Sequence, residues 1–166
     1  LLRRGVFMVV AAATTTGFQN VTNNQLTTVF SSGAFLIIAM CMAIGGSSGS
    51  TAGGIKLSRI GLIAKSMVST IKETLSPSTA RVSVRYYHLG RKVLTTDAAK
   101  SAMTVSALFV VTYLIGSLAG IAHGYDAISS IFESVAMASN GGLSSAIVSR
   151  GMPPTLEAVY ILEMWA

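Results

Sequence analysis

The chain has 166 residues, 51% hydrophobic and only 11% charged, with a mean hydropathy of +0.64. Soluble domains carry about 25% charged residues, so this composition excludes a soluble globular domain and points to a membrane protein. Nine of the twelve basic residues lie between Lys56 and Lys100; with no aromatic platform or nucleic-acid motif beside them, they read as a cytoplasmic connection under the positive-inside rule, and no nucleic-acid partner is expected.

Leu2 to Ala13 is a helix-capable apolar stretch opened by Arg3 and Arg4. Twelve helical residues rise about 18 Å, well short of a ~30 Å hydrocarbon core. The helix therefore enters the membrane without crossing it. Thr14-Thr15-Thr16-Gly17-Phe18-Gln19-Asn20 and the polar Thr22-Asn23-Asn24-Gln25 turn the chain back. Thr28 to Ile44 then begins a true crossing and runs into Gly45-Gly46-Ser47-Ser48-Gly49-Ser50-Thr51-Ala52-Gly53-Gly54. Five glycines and four Ser or Thr in ten positions cannot hold a regular helix. Because no Asp, Glu, Lys, Arg or His occurs from Gly5 to Ile55, the break lies at membrane depth. Irregular backbone is tolerated there only if protein buries it or it lines a watery cavity. A loop in a transport path follows, with a simple flexible hinge as its alternative. The spacing from Gly49 to Gly54 brushes against a phosphate-binding P-loop, but Ile55 precedes Lys56 and Leu57 replaces the required Ser or Thr.

Ile55 to Val68 carries Lys56, Arg59 and Lys65 and emerges on the cytoplasmic side. The connection that follows holds Pro77, Arg81, Arg85, Tyr86-Tyr87-His88, Arg91 and Lys92, with room for a short amphipathic helix on the membrane surface. Ala102 to Ala122 is an uncharged crossing anchored inside by Lys100, leaving the membrane near His123-Gly124-Tyr125. The first pattern then returns. Asp126 can cap a helix, Ala127 to Ala138 is again about twelve residues, and Ser139-Asn140-Gly141-Gly142-Leu143-Ser144-Ser145 is again a polar, glycine-containing turn. A loop with Arg150, Pro153 and Pro154 leads into Leu156 to Trp165, the start of another crossing. Short helix, polar turn, crossing thus occurs twice at a spacing of about 125 residues, which signals pseudo-symmetric pore building. Both ends of the chain fall so as to suggest an internal piece of a longer protein.

A desolvated alkali cation needs several oxygens at close range, and backbone carbonyls supply them without a trapping net charge. Thr15-Thr16-Gly17-Phe18 and Asn140-Gly141-Gly142-Leu143 suit that purpose, with Gly17 and Gly142 free to take positive φ. The C-terminal ends of the short helices, partly negative, favour a cation there. The bland alternative makes Gly17 and Gly142 helix C-caps. Lys56 and Arg59 read as interfacial anchors, or Lys56 holds the loop's carbonyls or closes the electrostatics on a cation path. Glu133, a costly bare carboxylate, either accepts amide hydrogen bonds behind the turn or tunes the outer potential. Cys41 and the methionines read as packing residues and His123 as interfacial. No nucleophile–base pair, metal-ligand set or paired carboxylates supports an enzyme or a bound cofactor.

These residues resemble the Trk/Ktr/HKT superfamily of potassium transporters. Gly45 to Arg59, GGSSGSTAGGIKLSR, is similar to its glycine-rich signature, ATTTGF at Ala13 to Phe18 to the third pore loop, and FESVAMASNGGLS at Phe132 to Ser144 to the fourth. The resemblance implies an all-α polytopic membrane protein with pseudo-fourfold repeats of outer helix, re-entrant pore helix with filter loop, and inner helix. Residues 1–68 would hold the third unit from its pore helix onward, 69–97 the basic cytoplasmic connection, and 98–166 the fourth unit. The filter carries over onto Thr15, Thr16, Gly17, Phe18, Asn140, Gly141, Gly142 and Leu143, with potassium, the substrate, at Thr16, Gly17, Gly141 and Gly142. The gating loop carries over onto Gly45 to Gly54. Asn140-Gly141 stands where relatives commonly have β-branched residues, which bears on the fourth filter's rigidity. Potassium uptake at the plasma (inner) membrane is implied, as are contact with lipid, a homodimer, and a cytosolic nucleotide-binding (RCK/KTN-type) regulatory subunit near Lys72 to Lys92. The alternatives are a sodium-permeable or poorly selective transporter of the same fold, or a non-conducting packing subunit.

Overall fold

The computed structural model describes residues 2–22, 30–76, 85–87, 91–93 and 95–165. Among them are six helices: α1 (Leu2–Ala13), α2 (Ser32–Ile44), α3 (Leu57–Leu75), α4 (Thr96–Ala122), α5 (Ala127–Ala138) and α6 (Pro154–Trp165). Both half-length helices have the bounds their apolar stretches set. α4 starts earlier than expected because Thr95 caps it, its hydroxyl accepting from the Ala98 amide, while Asp97 complements the helix N-terminus. α3 runs on to Leu75, since no Gly or Pro interrupts it after Gly61.

One feature departs from an all-helical reading. Arg85–Tyr87 (β1) and Arg91–Val93 (β2) pair antiparallel, Tyr86 opposite Lys92, in the basic connection where a surface helix was expected. Tyr and Val favour extended backbone. Asn23, Asn24, Gln25, Thr28, Pro77, Arg81 and His88 lie outside the described residues.

α5 is the hub, packing on α2, α4 and α6, while α1 packs on α2 and α3 on α4. Phe35 of α2 stacks on Phe132 of α5 with ring centroids 4.2 Å apart, and Met8, Ile38, Met42 and Leu143 complete the core around that pair. α4 has 27 residues and is the one described helix long and apolar enough to cross a membrane; at 1.5 Å per residue it spans about 40 Å. Its Leu108, Val111, Leu114, Ile115 and Leu118 face outward. In water such a surface would be an aggregation patch; against acyl chains it is matched to its solvent. α5 cannot cross and sits enclosed on three sides, so its polar end must be satisfied from within.

Candidate functional site

The backbone caps after α1 and α5 match bond for bond at a spacing of 125. The Thr16 amide donates to the Ala11 carbonyl (3.1 Å) and the Gly141 amide to Ala136 (2.8 Å). The Thr15 amide donates to Ala12 (3.1 Å) and the Asn140 amide to Met137 (3.0 Å). The Thr14 hydroxyl bonds back to Val10 and the Ser139 hydroxyl to Val135. These pairs of 6→1 and 5→2 bonds are Schellman caps whose left-handed residue is Thr15 (φ 47°) in one copy and Asn140 (φ 51°) in the other. The glycines do not cap the helices; the caps close two residues earlier. Gly17 (φ 78°) and Gly142 (φ 68°) are a second left-handed position in each turn, beyond anything helix termination requires. A left-handed threonine is strained by its β-branch, and such strain collects at functional sites.

The two turns meet backbone to backbone. A Cβ added at Gly142 would stand 2.9 Å from the Gly17 Cα, and one at Gly17 would stand 3.4 Å from the Gly142 Cα. Just beyond, Gln19 pairs with the backbone of its own repeat mate: its Nε2 donates to the Ser144 carbonyl (3.5 Å) and its Oε1 accepts from the Ser144 amide (3.3 Å). Among the expected lining positions, Phe18 and Leu143 occupy equivalent places but part ways. Phe18 is exposed, while Leu143 is fully buried in the core.

The glycine loop is looped out of a helix that resumes. In an unbroken helix the Ala43 and Ile44 carbonyls would bond to the amides of Ser47 and Ser48; here they accept from Ile55 (3.0 Å) and Lys56 (2.9 Å). The base is tight enough to demand glycine. A Cβ at Gly45 would overlap the Gly53 carbonyl, and one at Gly54 would lie 2.7 Å from the Ala43 carbonyl oxygen. The loop also reaches both turns. The Gly53 amide donates to Thr15 Oγ1 (3.1 Å), and a Cβ there would overlap the Ser139 carbonyl. Gly141 in turn packs on the Met42 sulfur of α2. Ala52 is buried, whereas the tip from Ser47 through Ser48, Gly49 and Ser50 to Thr51 is exposed, folded on itself by Ser50, whose amide and hydroxyl both donate to the Ser47 carbonyl. Lys56 Nζ donates to the Ser50 carbonyl at 2.7 Å, so Lys56 holds the loop. Arg59 Nη1 donates to the Ile55 carbonyl one turn back at 3.2 Å.

Behind the second turn Glu133 is completely buried. One oxygen accepts from the Ser144 hydroxyl (2.9 Å); the other accepts from the Ser145 amide (2.7 Å) and hydroxyl (2.6 Å). It is the strut that ties the chain after the turn back to its own helix. Replacing Glu133 by Leu strands a buried amide that cannot rotate away, at roughly 1–3 kcal/mol. Glu133→Leu should therefore lower the unfolding temperature of the detergent-solubilised protein more than Glu133→Gln, which keeps one acceptor. Equal temperatures for the two would remove the strut role. Sequence reasoning anticipated Glu133 but passed over Gln19, Ser134 and Glu163, whose partners lie far away in the chain.

The family described as "TrkH: Cation transport protein" matches residues 2–166. An uncharacterized cation transporter of Methanocaldococcus jannaschii is 34% identical over 160 residues, covering 96% of this chain and 32% of that protein. The Trk system potassium uptake protein TrkH of Salmonella typhimurium is 29% identical over 98% of this chain and 33% of its own length, and its Escherichia coli namesake is 28% identical over the same shares. The chain spans about a third of the length of these relatives.

Proposed function

The chain belongs to the TrkH family of cation transport proteins, and from that premise we propose that it forms the third and fourth pore units of a potassium uptake protein of the plasma membrane. Residues 1–68 supply the third pore helix, filter and broken inner helix; 69–97 are the cytoplasmic connection; 98–166 supply the fourth outer helix, pore helix, filter and the start of an inner helix. The observation that carries this reading is the apposition of Gly17 and Gly142 at the ends of two identically capped half-length helices. Short helices that end on a common point direct two partly negative C-termini at it. Carbonyls of Thr16, Gly17, Gly141 and Gly142 replace a potassium ion's water there.

The loop from Gly45 to Gly54 is the movable barrier on the cytoplasmic side of those turns. Support comes from its contacts: it bears on Thr15, the left-handed residue of the first cap, and on Ser139, the residue just before the left-handed Asn140 of the second. A second copy of the transporter and a cytosolic nucleotide-binding subunit docked on the basic connection complete the proposed assembly. The test is direct flux. The full-length transporter in lipid vesicles should carry potassium down its gradient and discriminate against sodium at least tenfold. Absence of any cation flux would sink the reading, and equal rates for both ions would favour the poorly selective alternative.

A further inference from the structure

Glu163 lies on α6, away from both turns, yet it is only 4% exposed. Its Oε1 accepts from the Ser134 hydroxyl of α5 at 2.9 Å, and the same hydroxyl lies 3.0 Å from the Tyr113 carbonyl of α4. Three helices thus converge on one serine. The carboxylate sits where only glycine leaves room: a Cβ at Gly116 would overlap it. One turn along, the Tyr160 hydroxyl stands 3.2 Å from where a Cβ of Gly120 would be. Gly116 and Gly120 make a groove on α4 filled by polar side chains of α6 and, at Gly120, more closely by Ser130 of α5. Among the described residues Glu163 Oε2 has no hydrogen-bond partner. A leucine would fill that groove without leaving a polar atom unpaired, but it could not accept from Ser134.

The two pore units differ at the matching positions. Where α5 has Glu133 and Ser134, α1 has Met8 and Val9, and where the second turn has Asn140-Gly141 the first has Thr15-Thr16. A glycine in place of Thr16 frees the backbone of the second turn. That turn is the one braced from behind, by Glu133 on the chain that leaves it and by Glu163 on the helix that delivers it. We propose that Glu163, acting through Ser134, is a positioning residue for the fourth filter turn, fixing the depth and rotation of α5 and so the place of Gly142 opposite Gly17. The proposal rests on the reading of Asn140 to Leu143 as a filter.

The experiment compares potassium and sodium uptake by the full-length transporter at matched membrane abundance. Glu163→Ala, which removes the acceptor, should lower the potassium-to-sodium ratio roughly three- to tenfold. Glu163→Gln, which keeps an oxygen at the Oε1 position, should restore it. An unchanged ratio in Glu163→Ala overturns the proposal, and so does a Gln variant as poor as the Ala variant, because charge and not the accepted bond would then matter. Should Glu163→Ala fail to accumulate in the membrane, Ser134→Ala decides: a lowered ratio supports positioning, an unchanged one refutes it. Gly142→Ser in the same assay separates the two levels. If it spares discrimination the filter reading falls; if it abolishes discrimination while Glu163→Ala does not, only the positioning role falls.

Discussion

Replacing Gly142 by serine will abolish discrimination between potassium and sodium and remove most of the flux, and Gly17→Ser will do the same to a lesser degree. Both residues sit in the left-handed region, where any L side chain costs roughly 1–2 kcal/mol. That cost is common to the two and cannot rank them. The surroundings do. A Cβ at Gly142 would stand 2.9 Å from the Gly17 Cα, a separation that forces backbone to move, whereas a Cβ at Gly17 meets the Gly142 Cα at 3.4 Å, close to ordinary contact. Serine at 142 must push the two turns apart or flip its own φ, and either change moves carbonyls away from the proposed ion position. Serine at 17 has only the conformational cost to relieve. Uptake of both ions by each variant, normalised to its membrane abundance, checks the order. Retained potassium preference in Gly142→Ser would remove the site from the ion path altogether.

Much of this arrangement is legible in the sequence because it is local. The bounds of α1 and α5 follow from apolar stretches that end at polar residues, and the 125-residue spacing that relates them also relates every bond in the two caps. The place of the left-handed caps is not legible in the same way. Gly17 and Gly142 are the residues that ordinarily close a helix, so sequence offers them as caps; the structure gives that task to Thr15 and Asn140. Thr15 tolerates its strained backbone within a packed site, where its hydroxyl holds Gly53, and no propensity reveals such a partner 38 residues away. Contacts set by tertiary folding are hidden for the same reason. Gln19 and Ser144 meet across the repeat, and Glu163 finds Ser134 only once α4, α5 and α6 converge. The pairing of β1 and β2 was masked by a different signal, the basic charge of the connection, which says nothing of its backbone.

The glycine loop should yield the other large effect, a gain in transport. Removing Ser48, Gly49 and Ser50 takes away the carbonyl that Lys56 holds, yet leaves the base intact, since Ala43 and Ile44 still accept from Ile55 and Lys56. The helix pair α2 and α3 is therefore kept while the loop between them, the proposed barrier, is shortened. Potassium flux should rise severalfold with the potassium-to-sodium ratio unchanged, because neither Gly17 nor Gly142 touches the deleted tip. Lys56→Met is the gentler version. It breaks one charge-assisted bond on a partly exposed chain, worth about 1 kcal/mol, and should shift the closed-to-open ratio about fivefold. The hinge reading makes the opposite forecast: a loop that only joins two helices can lose three exposed residues or one lysine contact with no change in flux. If flux and selectivity move together, the loop acts through Thr15 on the filter itself, since the Gly53 amide bonded to Thr15 Oγ1 is the link through which a displaced loop would pull on the turn.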